Sequence, residues 1–280
     1  MWAFACGVVA SGQDLAAHWG LLASGLVLTG PLVCASSQAV NDWFDRHVDA
    51  INEPNRPIPS GRMPGRWGLG IAIAWTLLSF VWATRMGLWA FVACGLAIAL
   101  SWAYSAPPVR LKNNGWWGNA ACALSYEGLA WLTGTAVMLG GAWPGMHSLT
   151  LALLYSLGAH GIMTLNDFKA IEGDQRMGVA SLPVQLGTKG AAYVACALMG
   201  LAQVAVALCL WFWQLPWHAG AVLALALAQW PLMAKFLQDP IARALQVSAL
   251  GVPMFVSGMM VSAWGLRQLL VLQPLLEVAP

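Results

Sequence analysis

Residues 190–213 read GAAYVACALMGLAQVAVALCLWFW, with no Asp, Glu, Lys or Arg. A bilayer core takes about 20 apolar residues of helix to cross, so this stretch alone puts the chain in a membrane. Segments that meet or nearly meet that length recur at 20–40, 67–84, 88–106, 116–140, 146–165, 217–234 and 244–266, and the one Asp, Glu, Lys or Arg inside them is Glu127. Residues 1–10, MWAFACGVVA, are too short to span and read as the second half of a helix whose start lies upstream. The expected fold is all-α. It is a polytopic helical membrane bundle of about nine transmembrane helices, the first short or truncated, around a central cavity, with residues 1–280 as one membrane domain.

Composition agrees. The chain is 59% hydrophobic and only 9% charged, where soluble domains carry roughly 25% charged residues. A net charge of +2 gives no argument for nucleic acid. No basic n-region opens the chain, so no removable signal peptide is expected. The six cysteines all sit in apolar runs without metal-type spacing and read as small buried hydrophobes, not as a disulfide framework. Many tryptophans, such as Trp19, Trp67, Trp117 and Trp217, flank the spans, as interfacial belts do.

Charge placement says more than charge total. Alternate loops at 41–66, 107–115, 166–189 and 235–243 hold eleven of the thirteen basic residues; Arg85 and Arg267 are the exceptions. Basic loops stay cytoplasmic, which puts the N-terminus on that side and the C-terminus on the other. Eight of the eleven acids share the basic side. Topology does not require this, because acids weigh little in it.

The first acidic loop reads NDWFDRHVDAINEPNRPIPSGR (41–62). If the preceding helix continues, then at about 100° per residue Asn41, Asp45 and Asp49 share one face, with Asp42 just beside them. Carboxylates packed this closely repel unless a cation joins them. Oxygen donors without a nearby thiol suit magnesium, which is usually shared with substrate phosphates. The second acidic stretch, LNDFKAIEGDQRMGVASLPVQLG (165–187), has Asp167 and Asp174 seven residues apart, two helical turns, so that they can share a face. The expected metal ligands are Asn41, Asp42, Asp45, Asp49, Asp167 and Asp174, holding two Mg2+ ions against a diphosphate. Arg46, Arg56, Lys112, Lys169 and Arg176 would clamp the diphosphate oxygens. Chemistry is expected to depend most on Asp45, Asp49, Asp167 and Lys112. Arg62, Arg66, Lys235 and Arg243 read as topology signals alone.

The spacing N-D-x-x-D-x-x-x-D at 41–49 is similar to the first signature of the UbiA superfamily of intramembrane prenyltransferases. The likeness covers essentially the whole chain. The strings DAINEPNRPIPSG (49–61), AYSAPPVRLKNNGW (103–116) and NDFKAIEGDQRMGVASLPV (166–184) look like the chlorophyll and bacteriochlorophyll synthase branch, and YEGLAWLTGTAVM (126–138) resembles its bacterial members. The resemblance implies esterification of the propionate of bacteriochlorophyllide a by geranylgeranyl or phytyl diphosphate, with diphosphate released. It implies a bacterial inner, photosynthetic membrane and pigment-protein assembly partners. Tyr104 and Tyr126 would then face a developing allylic cation, or simply pack at the interface. Glu127 would meet the macrocycle or a polar partner in the bundle, and His160 would approach the pigment's magnesium. Alternatives are a chlorophyll synthase, a quinone or haem prenyltransferase of the same superfamily, or a cation transporter, whose charges belong at the membrane midplane.

Overall fold

The structure, a computed structural model, describes residues 1–276; the C-terminal end, expected on the side opposite the basic loops, falls at 277–280, outside the described residues. Ten helical stretches follow one another among the described residues. They are α1 (Trp2–Ala10), α2 (19–52), α3 (Trp67–Ala83), α4 (Leu88–Ser105), α5 (115–138), α6 (Met146–Asp167), the short α7 (Ile171–Met177), α8 (Leu182–Phe212), α9 (Pro216–Gln238) and α10 (240–276). Six helices are long and apolar enough to cross a membrane, and α3 is a shorter apolar one. The bundle is therefore all-helical and membrane-spanning as expected, without nine full-length spans by that measure.

Three of these helices are interrupted by π turns: Leu28–Cys34 in α2, Leu124–Leu129 in α5 and Val247–Gly251 in α10. Pro31 lies in the first. Proline lacks the amide for the i−4 carbonyl, and a locally widened turn accommodates it. Helix α8 bends at Gly187, whose φ of 70° suits glycine alone among common residues. The bend separates the turn at 182–186 from the span that follows.

In lipid, helices gain little from apolar contact with each other, so small residues and internal hydrogen bonds hold them together. Both devices are present. A Cβ on Gly7 would collide with the Trp131 carbonyl, and one on Gly134 with the Phe4 carbonyl. Helix α1 thus lies backbone-to-backbone against α5, and Thr135 donates to the Gly7 carbonyl at 3.0 Å. Elsewhere the Trp131 indole donates to Ser148 at 2.9 Å, and Tyr155 shares a 2.7 Å hydrogen bond with Ser262. The main core draws on α1, α5, α6, α8, α9 and α10, and a second cluster on α2, α3 and α4. Large exposed apolar side chains such as Leu77, Val81, Leu201 and Leu208 make up the outer face, where lipid belongs. Trp19, Trp67, Trp117 and Trp217 are exposed near helix ends, in keeping with an interfacial belt.

Gly7→Val is expected to force α1 off α5. Overpacking of this kind costs about 1–3 kcal/mol, and it would be read as a lower thermal midpoint of the micelle-solubilised protein than that of a Gly20→Val control, where no atom stands in the way.

Candidate active site

The first acidic stretch is helical from Ala35 to Asn52, so the expected ligand face exists. The amide nitrogen of Asn41 donates to Asp45 Oδ2 at 2.9 Å and to Ser105 Oγ at 3.4 Å. After Asn52 the chain turns back, and Arg56 reaches both neighbouring carboxylates: Nη1 is 3.1 Å from Asp42 Oδ1 and 3.0 Å from Asp49 Oδ2. The remaining carboxylate is met from the loop between α4 and α5. Arg110 Nη2 lies 3.2 Å from Asp45 Oδ1, and Lys112 Nζ bonds the same oxygen. Asp45 and Lys112 are mostly buried. Burial pushes the Lys112 ammonium below the ordinary lysine range, and the Asp45 carboxylate pushes it part of the way back.

Arg110 holds a left-handed backbone, φ 39° and ψ 60°, sparsely populated for any residue but glycine and found most often where surroundings over-determine it. Here the surroundings are visible. The loop is fastened to the second acidic stretch: Ala180 N–H donates to the Asn113 carbonyl at 2.9 Å, and Gly115 N–H to the Ala180 carbonyl at 2.7 Å. A Cβ on Gly115 would strike the Leu182 backbone nitrogen, so only glycine permits the approach. Asn114 then caps α5, its side chain accepting from Trp116 N–H at 3.0 Å.

The second stretch departs from expectation. Helix α6 ends at Asp167, and the chain turns before α7. The turn buries Phe168, which packs edge-on against Phe236 with ring centroids 5.2 Å apart. Asp167 and Asp174 therefore do not share a helix face, although seven residues separate them. Asp167 Oδ2 accepts instead from Asn119 at 3.0 Å.

Five other expected roles meet a different placement. Arg46 turns from the carboxylates: Nη1 bonds the Trp43 carbonyl at 2.6 Å, and the guanidinium lies 4.0 Å from the centre of the Trp43 ring. Consecutive helical residues point about 100° apart, so Arg46 cannot follow Asp45. Arg176 pairs with Glu172 one turn away on the exposed α7. Lys169 is exposed and makes no ion pair with a described residue. His160 is buried against α5, its Nε2 at 3.1 Å from the Trp116 carbonyl. Neither His160 nor Glu127 lines the cavity described next.

That cavity, about 470 Å³, lies between α1, α2, α4 and α5. One end is polar, formed by Asn41, Gln38, Ser105 and Tyr104 beside the carboxylates; Leu28, Phe4 and Leu129 form an apolar wall. Tyr104 and Tyr126 both line it. Two of the π turns contribute walls, through Thr29, Val33 and Cys34 on α2 and Ser125 and Tyr126 on α5.

Among the described residues no three His, Cys, Asp or Glu side chains gather as a ready-made metal cage. The donor set nonetheless fits magnesium. It consists of carboxylate oxygens, and the Asn41 amide nitrogen is committed to Asp45 and Ser105, which leaves the Asn41 carbonyl oxygen as an acceptor. Magnesium is rarely caged by protein alone; it takes one or two carboxylates and completes its shell with water and phosphate. Arg110 and Asn119 are the site residues that sequence reasoning missed. Arg110 stands two positions before Lys112 in the same loop. Asn119 was legible as an amide inside an apolar span.

Residues 1–259 match the UbiA prenyltransferase family. The chain is 53% identical to "Bacteriochlorophyll synthase 33 kDa chain" of Rhodobacter capsulatus, over 95% of this chain and 88% of that one. It is 52% identical to the protein of that name from Cereibacter sphaeroides, over 97% and 90%. Identity to the chloroplastic chlorophyll synthase of Oryza sativa is 38%, over 94% and 72%. The fold matches a UbiA homolog from Archaeoglobus fulgidus bound to DMAPP and Mg2+, with a TM-score of 0.70 and 20% identity over 95% of this chain and 96% of that one.

Gly115→Val is expected to part the two loops. Hydrogen exchange at the Gly115 and Ala180 amides would rise by orders of magnitude, while amides in the middle of α6 keep their protection.

Proposed function

The chain belongs to the UbiA prenyltransferase family, and from that premise we propose that it esterifies the propionate of bacteriochlorophyllide a with geranylgeranyl or phytyl diphosphate. It is a membrane-embedded prenyltransferase. The observation that carries the site reading is the meeting of four ligand-bearing residues and three cations, Arg56, Arg110 and Lys112, at one end of an apolar cavity. A polar head with a long apolar tail is the ligand such a site accepts. The pigment is chosen by relatedness: identity to the bacterial bacteriochlorophyll synthases exceeds that to the plant chlorophyll synthase, 53% against 38%.

In the reaction, the bond between the first prenyl carbon and the diphosphate oxygen breaks. A carboxylate oxygen of the pigment forms the ester to that carbon, and diphosphate leaves with the bonding electrons. A propionate is ionised near neutral pH, so the nucleophile asks for no general base. Magnesium, when bound, offsets the charge of the diphosphate and improves it as a leaving group. Asn41, Asp42, Asp45 and Asp49 would hold one ion, and Asp167 with Asp174 a second. Arg56, Arg110 and Lys112 would bind the diphosphate oxygens, positions they already approach through the carboxylates. Tyr104 and Tyr126 line the cavity, and their rings would stabilise positive charge on the allylic carbon. The basic loops face the cytoplasm of a photosynthetic bacterium's inner membrane.

Membranes holding the protein, given Mg2+, geranylgeranyl diphosphate and bacteriochlorophyllide a, are expected to form the esterified pigment and to form little from chlorophyllide a. Chelation stops the reaction and added Mg2+ restores it. Asp45→Ala is expected to lower kcat by about 10²–10³, the range seen when a preorganised electrostatic contact is lost. Product from chlorophyllide alone would move the chain to the other pigment, and no ester from either pigment in folded protein would overturn the reading. Orientation is checked separately: a cysteine at exposed Ser60 should react with an impermeant maleimide in inside-out vesicles and stay unreacted in right-side-out ones.

A further inference from the structure

Between α5 and α6 runs a ladder of polar contacts that ends on Asp167. The Trp116 carbonyl meets His160 Nε2 at 3.1 Å. One turn along α5, the amide nitrogen of Asn119 donates to Thr164 Oγ1 at 3.3 Å and to Asp167 Oδ2 at 3.0 Å. Thr164 Oγ1 in turn donates to the His160 carbonyl at 3.0 Å. Asn119, Thr164 and His160 are all buried. The orientation of the Asn119 amide follows from chemistry. An ionised carboxylate only accepts, so the nitrogen faces Asp167, and the second amide hydrogen serves Thr164. Both amide hydrogens are thereby committed.

We infer that Asn119 is a positioning residue for Asp167, fixing the carboxylate so that Oδ1 is presented to a cation. Asp167 closes α6, just before the turn at Phe168. The carboxylates of the first acidic stretch have cationic partners to orient them: Arg56 for Asp42 and Asp49, and Arg110 with Lys112 for Asp45. Asp167 has no ion pair among the described residues, and a neutral amide on a rigid helix takes that part. An amide suits the task, because it orients a carboxylate without competing for the site as a charge would. Groups that orient a metal ligand in this way typically set affinity by about 10–100-fold.

This inference rests on the reading of Asp167 as a metal ligand, and the experiment separates the two. Mn2+ alone is titrated into the purified full-length protein in micelles, and free Mn2+ is followed by electron paramagnetic resonance. Asn119→Ala is expected to weaken Mn2+ binding by about 10–100-fold, as is Asp167→Asn, while Thr164→Val, which keeps the contact to Asp167, stays near the parent. In turnover, Asn119→Ala should raise the Mg2+ concentration for half-maximal rate and leave the KM for the pigment unchanged. Should Asn119→Ala fail to fold, Asn119→Ser, too short to reach Asp167, carries the same expectation. Binding in Asn119→Ala equal to the parent, with Asp167→Asn weakened, overturns the inference alone. Equal losses in Asn119→Ala and Thr164→Val make the ladder a matter of helix packing and overturn it too. Unchanged binding in Asp167→Asn overturns the reading of Asp167 as a ligand and the inference with it.

Discussion

Three carboxylates within two turns of one helix, at the edge of a low-dielectric bundle, must be neutralised, and the polar end of this protein is arranged around that need. Arg56 serves Asp42 and Asp49, and Arg110 with Lys112 serves Asp45. The first cation comes from the loop that follows the helix. The other two come from a loop more than sixty residues on. Breaking one partner of a buried pair leaves an uncompensated charge, which costs far more than the pair itself contributes. For Asp45 and Lys112, both mostly buried, that asymmetry fixes the loop that carries Lys112 in place. Because Asn113 and Gly115 are also bonded to Ala180, the neutralisation of the first acidic stretch sets the position of the second.

Below this polar end the constraint changes. With no water available, every backbone and side-chain polar group must find a partner inside the bundle. The Thr135, Trp131–Ser148 and Tyr155–Ser262 contacts meet it. Gly7 and Gly134 let α1 and α5 touch along their backbones. The same helix α5 then carries a cavity wall, the Asn119 amide and the cap at Asn114. Packing and site are thus joined on one element, and displacing it would disturb both.

The π turns connect local sequence to the shape of the cavity. Each widens its helix and rotates whatever follows relative to a regular helix. The turn at Leu28–Cys34 precedes the acidic face of α2 and so sets which way Asn41, Asp45 and Asp49 point. Its counterpart at Leu124–Leu129 contributes Tyr126 to the cavity and turns the neighbouring Glu127 out of it. Pro31 is a local cause for the first; no comparable breaker stands in the second, which reads LSYEGL.

By itself, the sequence determined the class of protein, its apolar helices, the clustering of charge in alternate loops and the helical face shared by Asn41, Asp45 and Asp49. Each of these follows from local rules: apolar length, loop charge and the 3.6-residue turn. Tertiary structure decided which cations serve that face. Arg46, adjacent to Asp45, points to Trp43 because neighbours on a helix diverge, while Arg110, distant in the chain, reaches Asp45 through a left-handed loop fastened to Ala180. It also ended α6 at Asp167, so that Asp174 lies on a separate helix, and it gave Asp167 a partner in Asn119, forty-eight residues away. Contacts of that separation depend on how helices pack, and no periodicity in a single chain records it.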